Sequence, residues 1–257
     1  MSQMHVEGKL DDGIGYLLIS NPKKFNALPQ SGWLSVKPAL DDLVESGARV
    51  VIVSGAQGNF CAGADISEFD VVRRNAETAR VYEASNIEAF AAIRQCSVPT
   101  LARIEGYCLG GGFGLAAACD LRMASKEAQF AVPAAKLGLG YPVDAMADIV
   151  EAVGSQNAKR LLFAAERFSA AEMSDMGFLL EVAEDANALQ DKVGALAGKI
   201  AQLAPLTHQA TKATVGALRS GDVETAKAAS DATFTSEDYA EGRAAFREKR
   251  APNFTGK

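Results

Sequence analysis

The chain is poor in the residues from which many hydrolytic and metal sites are built. Its 257 residues include two histidines, His5 and His208, and four cysteines. Neither histidine lies in an H-E-x-x-H run, no G-x-S-x-G is present, and no two cysteines form C-x-x-C. These gaps argue against Ser-His-Asp catalysis, zincin chemistry, zinc ribbons and thioredoxin-like exchange. Long apolar runs are missing too. Val50–Val53 and the small-residue stretch Gly110–Cys119 fall far short of the roughly 20 residues a bilayer needs. Basic excess is also absent: 26 Lys and Arg stand against 32 Asp and Glu, a net charge of −6. That balance excludes a whole-chain footprint for nucleic acid. The first residues mix His5, Glu7, Lys9, Asp11 and Asp12, which is neither a signal nor a transit pattern, so a cytoplasmic protein with no membrane partner is expected.

What remains is ordinary globular composition, 48% hydrophobic and 23% charged. The length permits one compact α/β domain. Cys61, Cys96, Cys108 and Cys119 all sit in apolar, small-residue surroundings, which predicts buried free thiols in a reducing compartment. In the first half, short β-rich runs alternate with helical patterns. Gly15–Ser20, Arg49–Ser54, Thr100–Ile104 and Leu121–Ala124 read as strands. Pro29–Glu45, the stretch around Ile87, Phe90 and Ala91, and Phe113–Ala118 read as helices. Alternation of this kind predicts an α/β core. The second half reads differently. Leu189, Val193, Leu196, Ile200 and Leu203 keep helical spacing, Pro205 opens another helix, and Asp222 to Arg250 carries almost no strand signal. The reading is a core over residues 1–195 and a helical region over 196–257, within one structural unit.

Two glycine elements stand out. In Gly106-Tyr-Cys-Leu-Gly110-Gly111-Gly112-Phe-Gly114 the third glycine of G-x-G-x-x-G would fall on Leu115, and no Walker lysine follows, so the dinucleotide and P-loop patterns fail. Three glycines at a helix start either pack a helix closely against a strand or bring backbone N–H groups up to a ligand. Phe60-Cys-Ala-Gly63-Ala64-Asp65-Ile66 follows the strand Arg49–Ser54 and also leaves amides accessible. Two donors from two loops are what an oxyanion hole requires.

Asn21–Leu28 (N-P-K-K-F-N-A-L), Phe60–Ile66, Gly106–Ala116, Ala128–Phe130 and Glu241–Phe254 together resemble the crotonase superfamily, the enoyl-CoA hydratase/isomerase family, over nearly the whole chain and in order. The resemblance implies a spiral of ββα units forming two sheets, a helical C-terminal region that builds homotrimers or dimers of trimers, and an acyl-CoA thioester as ligand, with coenzyme A part of the substrate and no other cofactor or metal. It implies that the Ala64 and Gly111 amides form the oxyanion hole. It places Ala27, Ala62, Asp65 and Ile66 beside the adenine and pantetheine end, and makes Lys24 a candidate for the 3′-phosphate. Arg247, Lys249 and Lys257 are further cations, or simply a charged helix face.

One departure shapes the functional reading. The two positions at which the family's hydratases carry a glutamate pair hold Gly114 and Ala134, and neither transfers a proton. Asp144, Glu68 and Tyr141 are the candidate replacements. Each also has a plainer role: helix N-cap for Asp144, solvated surface for Glu68, packing for Tyr141. An isomerase or hydratase-like enzyme working through a thioester enolate is expected, with a non-catalytic acyl-CoA-binding subunit, or an acyl-CoA hydrolase or C–C lyase, as the alternatives.

Overall fold

The computed structural model describes residues 4–257. The chain opens on a hairpin: β1 (His5–Asp11) pairs antiparallel with β2 (Ile14–Ser20). α1 (Gln30–Glu45) returns the chain to β3 (Val50–Gly55), parallel to β2. α2 (Phe69–Val72) and α3 (Ala76–Arg94) precede β4 (Thr100–Ile104), again parallel. Next come β5 (Tyr107–Leu109), α4 (Gly111–Ala118), β6 (Leu121–Ser125) and β7 (Gln129–Ala131). They are followed by α5 (Val143–Ala164), β8 (Phe168–Ser169), α6 (Ala170–Asp175), β9 (Glu181–Ala183) and α7 (Ala186–Ala201). The strands form a six-stranded sheet in the order β1-β2-β3-β4-β6-β9 and a three-stranded sheet β5-β7-β8.

All six residues of β3 are buried, as expected of a parallel strand covered on both faces. The period of two sorts them. Val51 and Val53 join the main core with Leu17, Ile19, Ala102 and Ile104. Val50 and Ile52 face the other way, with Leu101 and Met123, against α7. α7 meets them with Leu189, Val193, Ala197 and Ala201, a four-residue repeat along one helix face. On the main-core side, α1 contributes Trp33, Val36, Leu40 and Leu43, and α3 contributes Tyr82, Ala89, Phe90 and Ile93. α3 starts on a capping box, with the Asn75 side chain accepting from Thr78 N at 2.9 Å.

Beyond α7 the chain is helical: α8 (Pro205–Ser220), α9 (Val223–Phe234) and α10 (Glu237–Glu248). Charges fasten α8 to the core. The buried Asp148 carboxylate takes Arg94 Nη1 at 2.6 Å and is also paired with Arg219, and Asp120 is paired with Lys212. Asp238, also buried, accepts from Thr255 N at 2.6 Å and Gly256 N at 3.0 Å, which closes the last residues over α10. No helix among the described residues is long and apolar enough to cross a membrane.

The long periodic elements match the sequence reading, and three details differ. The expected boundary at 195/196 falls inside α7, which belongs to the core through its contacts with the large sheet. Leu203 lies past the end of that helix and is 51% exposed instead of continuing its apolar face. Asp144 is not an N-cap. Pro142 holds that position, so α5 starts at Val143 and Asp144 lies in its first turn, where its charge favours the helix dipole without a capping bond.

Candidate active site

The site forms where the loop after β3 is pinned between two other segments. Cys61 N donates to Tyr107 O at 2.8 Å and Leu109 N to Cys61 O at 2.9 Å. On the other side, Leu28 N donates to Gly63 O at 2.8 Å and Asp65 N to Leu28 O at 2.9 Å. These bonds fix residues 61–65 and leave the Ala64 N–H without an acceptor among the described residues. Gly63 is required twice over. Its φ is +94°, and a Cβ there would lie 2.7 Å from Leu109 O. The next segment turns at Gly110, whose N–H is held by Ala131 O at 2.8 Å, and α4 begins. Gly111 is its first residue, so its N–H has no partner within the helix. A Cβ built on Gly111 would stand 3.8 Å from Ala64 N, so the two free amides lie side by side. Two such donors aimed at one oxygen are each worth about 3 kcal/mol in a transition state that develops charge there.

Both amides open into a cavity of about 130 Å³. Ala62, Ala64, Ile66, Gly110 and Gly111 line one side, and Val132, Pro133, Ala134, Leu137 and Leu139 to Pro142 another. Phe69, Arg73, Glu83, Asn86 and Phe90 close it from α2 and α3. Of the expected site residues, Ala62, Ala64, Ile66, Gly111 and Tyr141 are brought together here. Lys24, Ala27, Asp65, Glu68 and Asp144 are not part of the lining.

Each excluded residue has its own local task. Glu68 turns its carboxylate to Gln30 N at 2.9 Å, which supplies the start of α1 with the acceptor that Pro29 cannot offer. Asp144 is exposed, and its carbonyl accepts from Arg219 Nη2 at 3.0 Å. Asp65 accepts from Lys24 Nζ at 2.6 Å, Ser67 Oγ at 2.8 Å and Ser67 N at 3.1 Å. Burial alone would raise its carboxyl; the Lys24 ammonium and the Ser67 hydroxyl and amide outweigh that, and it is held below the ordinary value. Lys24 therefore has two of its three donors engaged, by Asp65 and by Ser67 Oγ at 2.8 Å. Ala27 is buried behind the same turn, while Ile66 is 66% exposed at the cavity rim.

Tyr141 lines the cavity and donates to Gly110 O at 3.1 Å. Burial pushes its phenol well above the usual range, so it stays protonated and serves as a wall and a donor. Gly114 has no room for anything larger. A Cβ would lie 2.8 Å from Phe90 Cζ and 2.9 Å from Tyr141 Oη. The space where a side chain at 114 would begin is already filled by these two rings.

The polar part of the cavity comes from α2 and α3. Arg73 sits over the rings of Phe69 and Tyr82, 4.8 Å from each centroid, and its Nη1 pairs with Glu83 Oε1 at 3.3 Å. Tyr82 in turn accepts from Trp33 Nε1 at 3.0 Å, and the Trp33 ring packs where a Cβ on Gly111 would stand. Asn86 is 7% exposed, and its Oδ1 is buried with no hydrogen-bond partner. Such a group costs on the order of 1–3 kcal/mol. Among the described lining residues Glu83 is the sole carboxylate. Sequence reasoning missed Arg73, Glu83 and Asn86. The available signal was Asn86 itself, a polar residue whose helical neighbours Tyr82, Ala89, Phe90 and Ile93 are all apolar core.

The four cysteines are free and buried, as expected, and burial pushes the thiols of Cys61 and Cys119 up to about 12, which keeps them unreactive.

Residues 9–257 match the family model described as enoyl-CoA hydratase/isomerase. The chain is 31% identical to a peroxisomal Delta(3,5)-Delta(2,4)-dienoyl-CoA isomerase of Arabidopsis thaliana, covering 95% of this chain and 93% of that protein. It is 30% identical to a crotonyl-CoA hydratase of Syntrophomonas wolfei, covering 96% of each. An enoyl-CoA hydratase/isomerase family protein from Hyphomonas neptunium superposes with a TM-score of 0.93 at 31% identity over 98% of both chains. An enoyl-CoA hydratase from Bacillus anthracis gives 0.90 at 27% identity over 100% of both.

Proposed function

We propose a reaction from the premise that this chain belongs to the enoyl-CoA hydratase/isomerase family, the crotonase superfamily: it moves a double bond in an acyl-CoA through a thioester enolate. One observation carries the reading. The paired Ala64 and Gly111 amides open into a cavity whose described lining contains a single carboxylate, Glu83. A hydratase of the usual kind needs two proton-handling groups, one on water and one on carbon. Isomerisation needs one. Glu83 takes a proton from the α-carbon of a 3-enoyl thioester, the amides hold the enolate oxygen, and the same carboxyl returns the proton at the γ-carbon. Atoms and charge balance with no co-reactant. Arg73 fixes the Glu83 rotamer from its seat on Phe69 and Tyr82.

The test is 3-hexenoyl-CoA in D2O, followed by mass spectrometry. Deuterium gain at the α- and γ-carbons with appearance of the 2-enoyl product is expected. Glu83→Gln lowers the exchange rate about 10²–10⁴-fold while the Kd for hexanoyl-CoA stays within threefold. Tight binding without any exchange would replace the enzyme by an acyl-CoA-binding subunit. A fast crotonyl-CoA hydratase rate would overturn the one-carboxylate reading.

The helical region is assigned to self-association on similar terms. Leu218 and Phe246 are each 87% exposed and Phe234 is 63% exposed, which is apolar surface of the kind subunit contacts cover. A homotrimer or dimer of trimers is expected in sedimentation, and a monomer at micromolar concentration would refute it.

A further inference from the structure

We propose that the cavity selects an acyl chain carrying a neutral oxygen, a hydroxyl or keto group, beyond its thioester carbonyl, and that Asn86 is the residue that reads it. The proposal rests on the enolate reading and names the substrate class of the same site.

Two independent observations lead to it. The first is the unmet hydrogen bonding of Asn86. Its side chain lines the cavity and is more than nine-tenths buried, and its Oδ1 has no partner. Rotation about the terminal torsion lets the amide turn either its oxygen or its nitrogen toward the cavity, so it can accept from a hydroxyl or donate to a carbonyl. A hydrocarbon chain that displaced water here would leave that amide unpaired. A chain with an oxygen at that level would pair it.

The second is the state of the nearby charge. Arg73 is already balanced by Glu83 at 3.3 Å, and its faces are covered by Phe69 and Tyr82. Its charge is therefore already matched, its unpartnered Nε is buried away from solvent, and a carboxylate entering the cavity would meet Glu83 as a like charge. The first observation separates oxygenated chains from plain ones. The second separates neutral oxygen from a terminal acid.

Asn86 also stands one helical turn before Phe90, about 6 Å along the axis of α3. Phe90 is the ring that walls Gly114, in the turn that follows Gly111. The oxygen that Asn86 meets is thus not required to lie on the reacting carbons, and its position along the chain is a variable of the test.

Calorimetric titration with non-reacting thioesters decides the matter. The ligands are hexanoyl-CoA, its 3-, 4- and 5-hydroxy derivatives, and adipoyl-CoA, each titrated into the wild type and into Asn86→Leu. At least one hydroxy isomer is expected to bind tenfold or more tightly than hexanoyl-CoA, with adipoyl-CoA no tighter than hexanoyl-CoA. Asn86→Leu erases the hydroxy advantage and tightens hexanoyl-CoA. It also unfolds at the same or a higher temperature, because it removes an unpaired buried amide instead of a structural bond. Equal binding of all the thioesters, tightest binding of adipoyl-CoA, or a hydroxy advantage that survives Asn86→Leu would overturn the proposal and leave the enolate reading standing. Failure of every thioester to bind would remove the enolate reading and this inference with it.

Discussion

Gly114→Ala tests whether the space beside Gly114 is truly filled. In an open helix interior, Gly to Ala stabilises by about 0.5–1 kcal/mol through backbone entropy and propensity. At position 114 the added methyl meets Phe90 Cζ at 2.8 Å, Tyr141 Oη at 2.9 Å and Phe90 Cε1 at 3.1 Å. Phe90 is only 3% exposed, so its ring has little freedom to retreat. Overpacking of this kind costs about 1–3 kcal/mol. Clash cancels or outweighs propensity, and the net expectation is a loss of about 0–2.5 kcal/mol from those two ranges. For a domain of this size that is a fall in Tm of up to roughly 10 °C. Phe90→Ala alone opens a cavity and costs about 3–5 kcal/mol. Joined to Gly114→Ala it costs less than the sum, because the methyl now has room, with a coupling of about 1–3 kcal/mol. Urea and thermal unfolding of the four proteins give the cycle. A Gly114→Ala variant stabilised by the helix-propensity amount, with strict additivity, would refute the reasoning. The same packing implies that Gly114→Glu with Ala134→Glu yields no crotonyl-CoA hydratase activity unless Phe90 and Tyr141 are trimmed as well.

Three further outcomes are expected. Ala64→Pro deletes one of the paired donors and should lower kcat about 10²–10³-fold, with circular dichroism confirming an intact fold; an unchanged kcat would place the thioester oxygen elsewhere. Asp65→Ala removes the Lys24 ion pair and the Ser67 cap and should cost about 1 kcal/mol in urea unfolding. Because the folded Asp65 carboxyl is depressed, its stabilisation is present above the ordinary value of 3.8 and fades as pH falls through that value toward the lower folded one. His208 is depressed first by burial and then by Arg49, so the unfolded chain binds its proton earlier. Stability should therefore fall as pH drops from about 6.5, and His208→Gln should flatten the chemical-denaturation profile between pH 7 and 5; an unchanged slope would remove His208 as its source.

Particular residues show what the sequence carried and what it did not. The buried run of β3 and the periodic faces of α1 and α7 were legible, because burial on a regular element imprints a period on the chain. β1 was not legible: its outer face is solvent, and H-V-E-G-K-L-D alternates too weakly. β5, β7 and β9 have three residues each, too few for a period to register. The two adjacent free amides were legible through the glycines of their two loops. The acidic residue was not. Glu68 and Asp144 sat near the glycine motifs in sequence, yet helix starts at Gln30 and Val143 claimed them or their segment. Glu83 reaches the cavity only because α3 folds across α4, a long-range contact that no local pattern encodes.

The paired free donors of this site belong to the main chain. Leu28, Cys61, Leu109 and Ala131 hold them through backbone bonds, so the identity of the surrounding side chains is nearly independent of them. Substitutions around the cavity can therefore change its lining while the paired amides persist. The scaffold separates what must be inherited, the backbone that presents two amides to the cavity, from what is free to vary, the side chains around them.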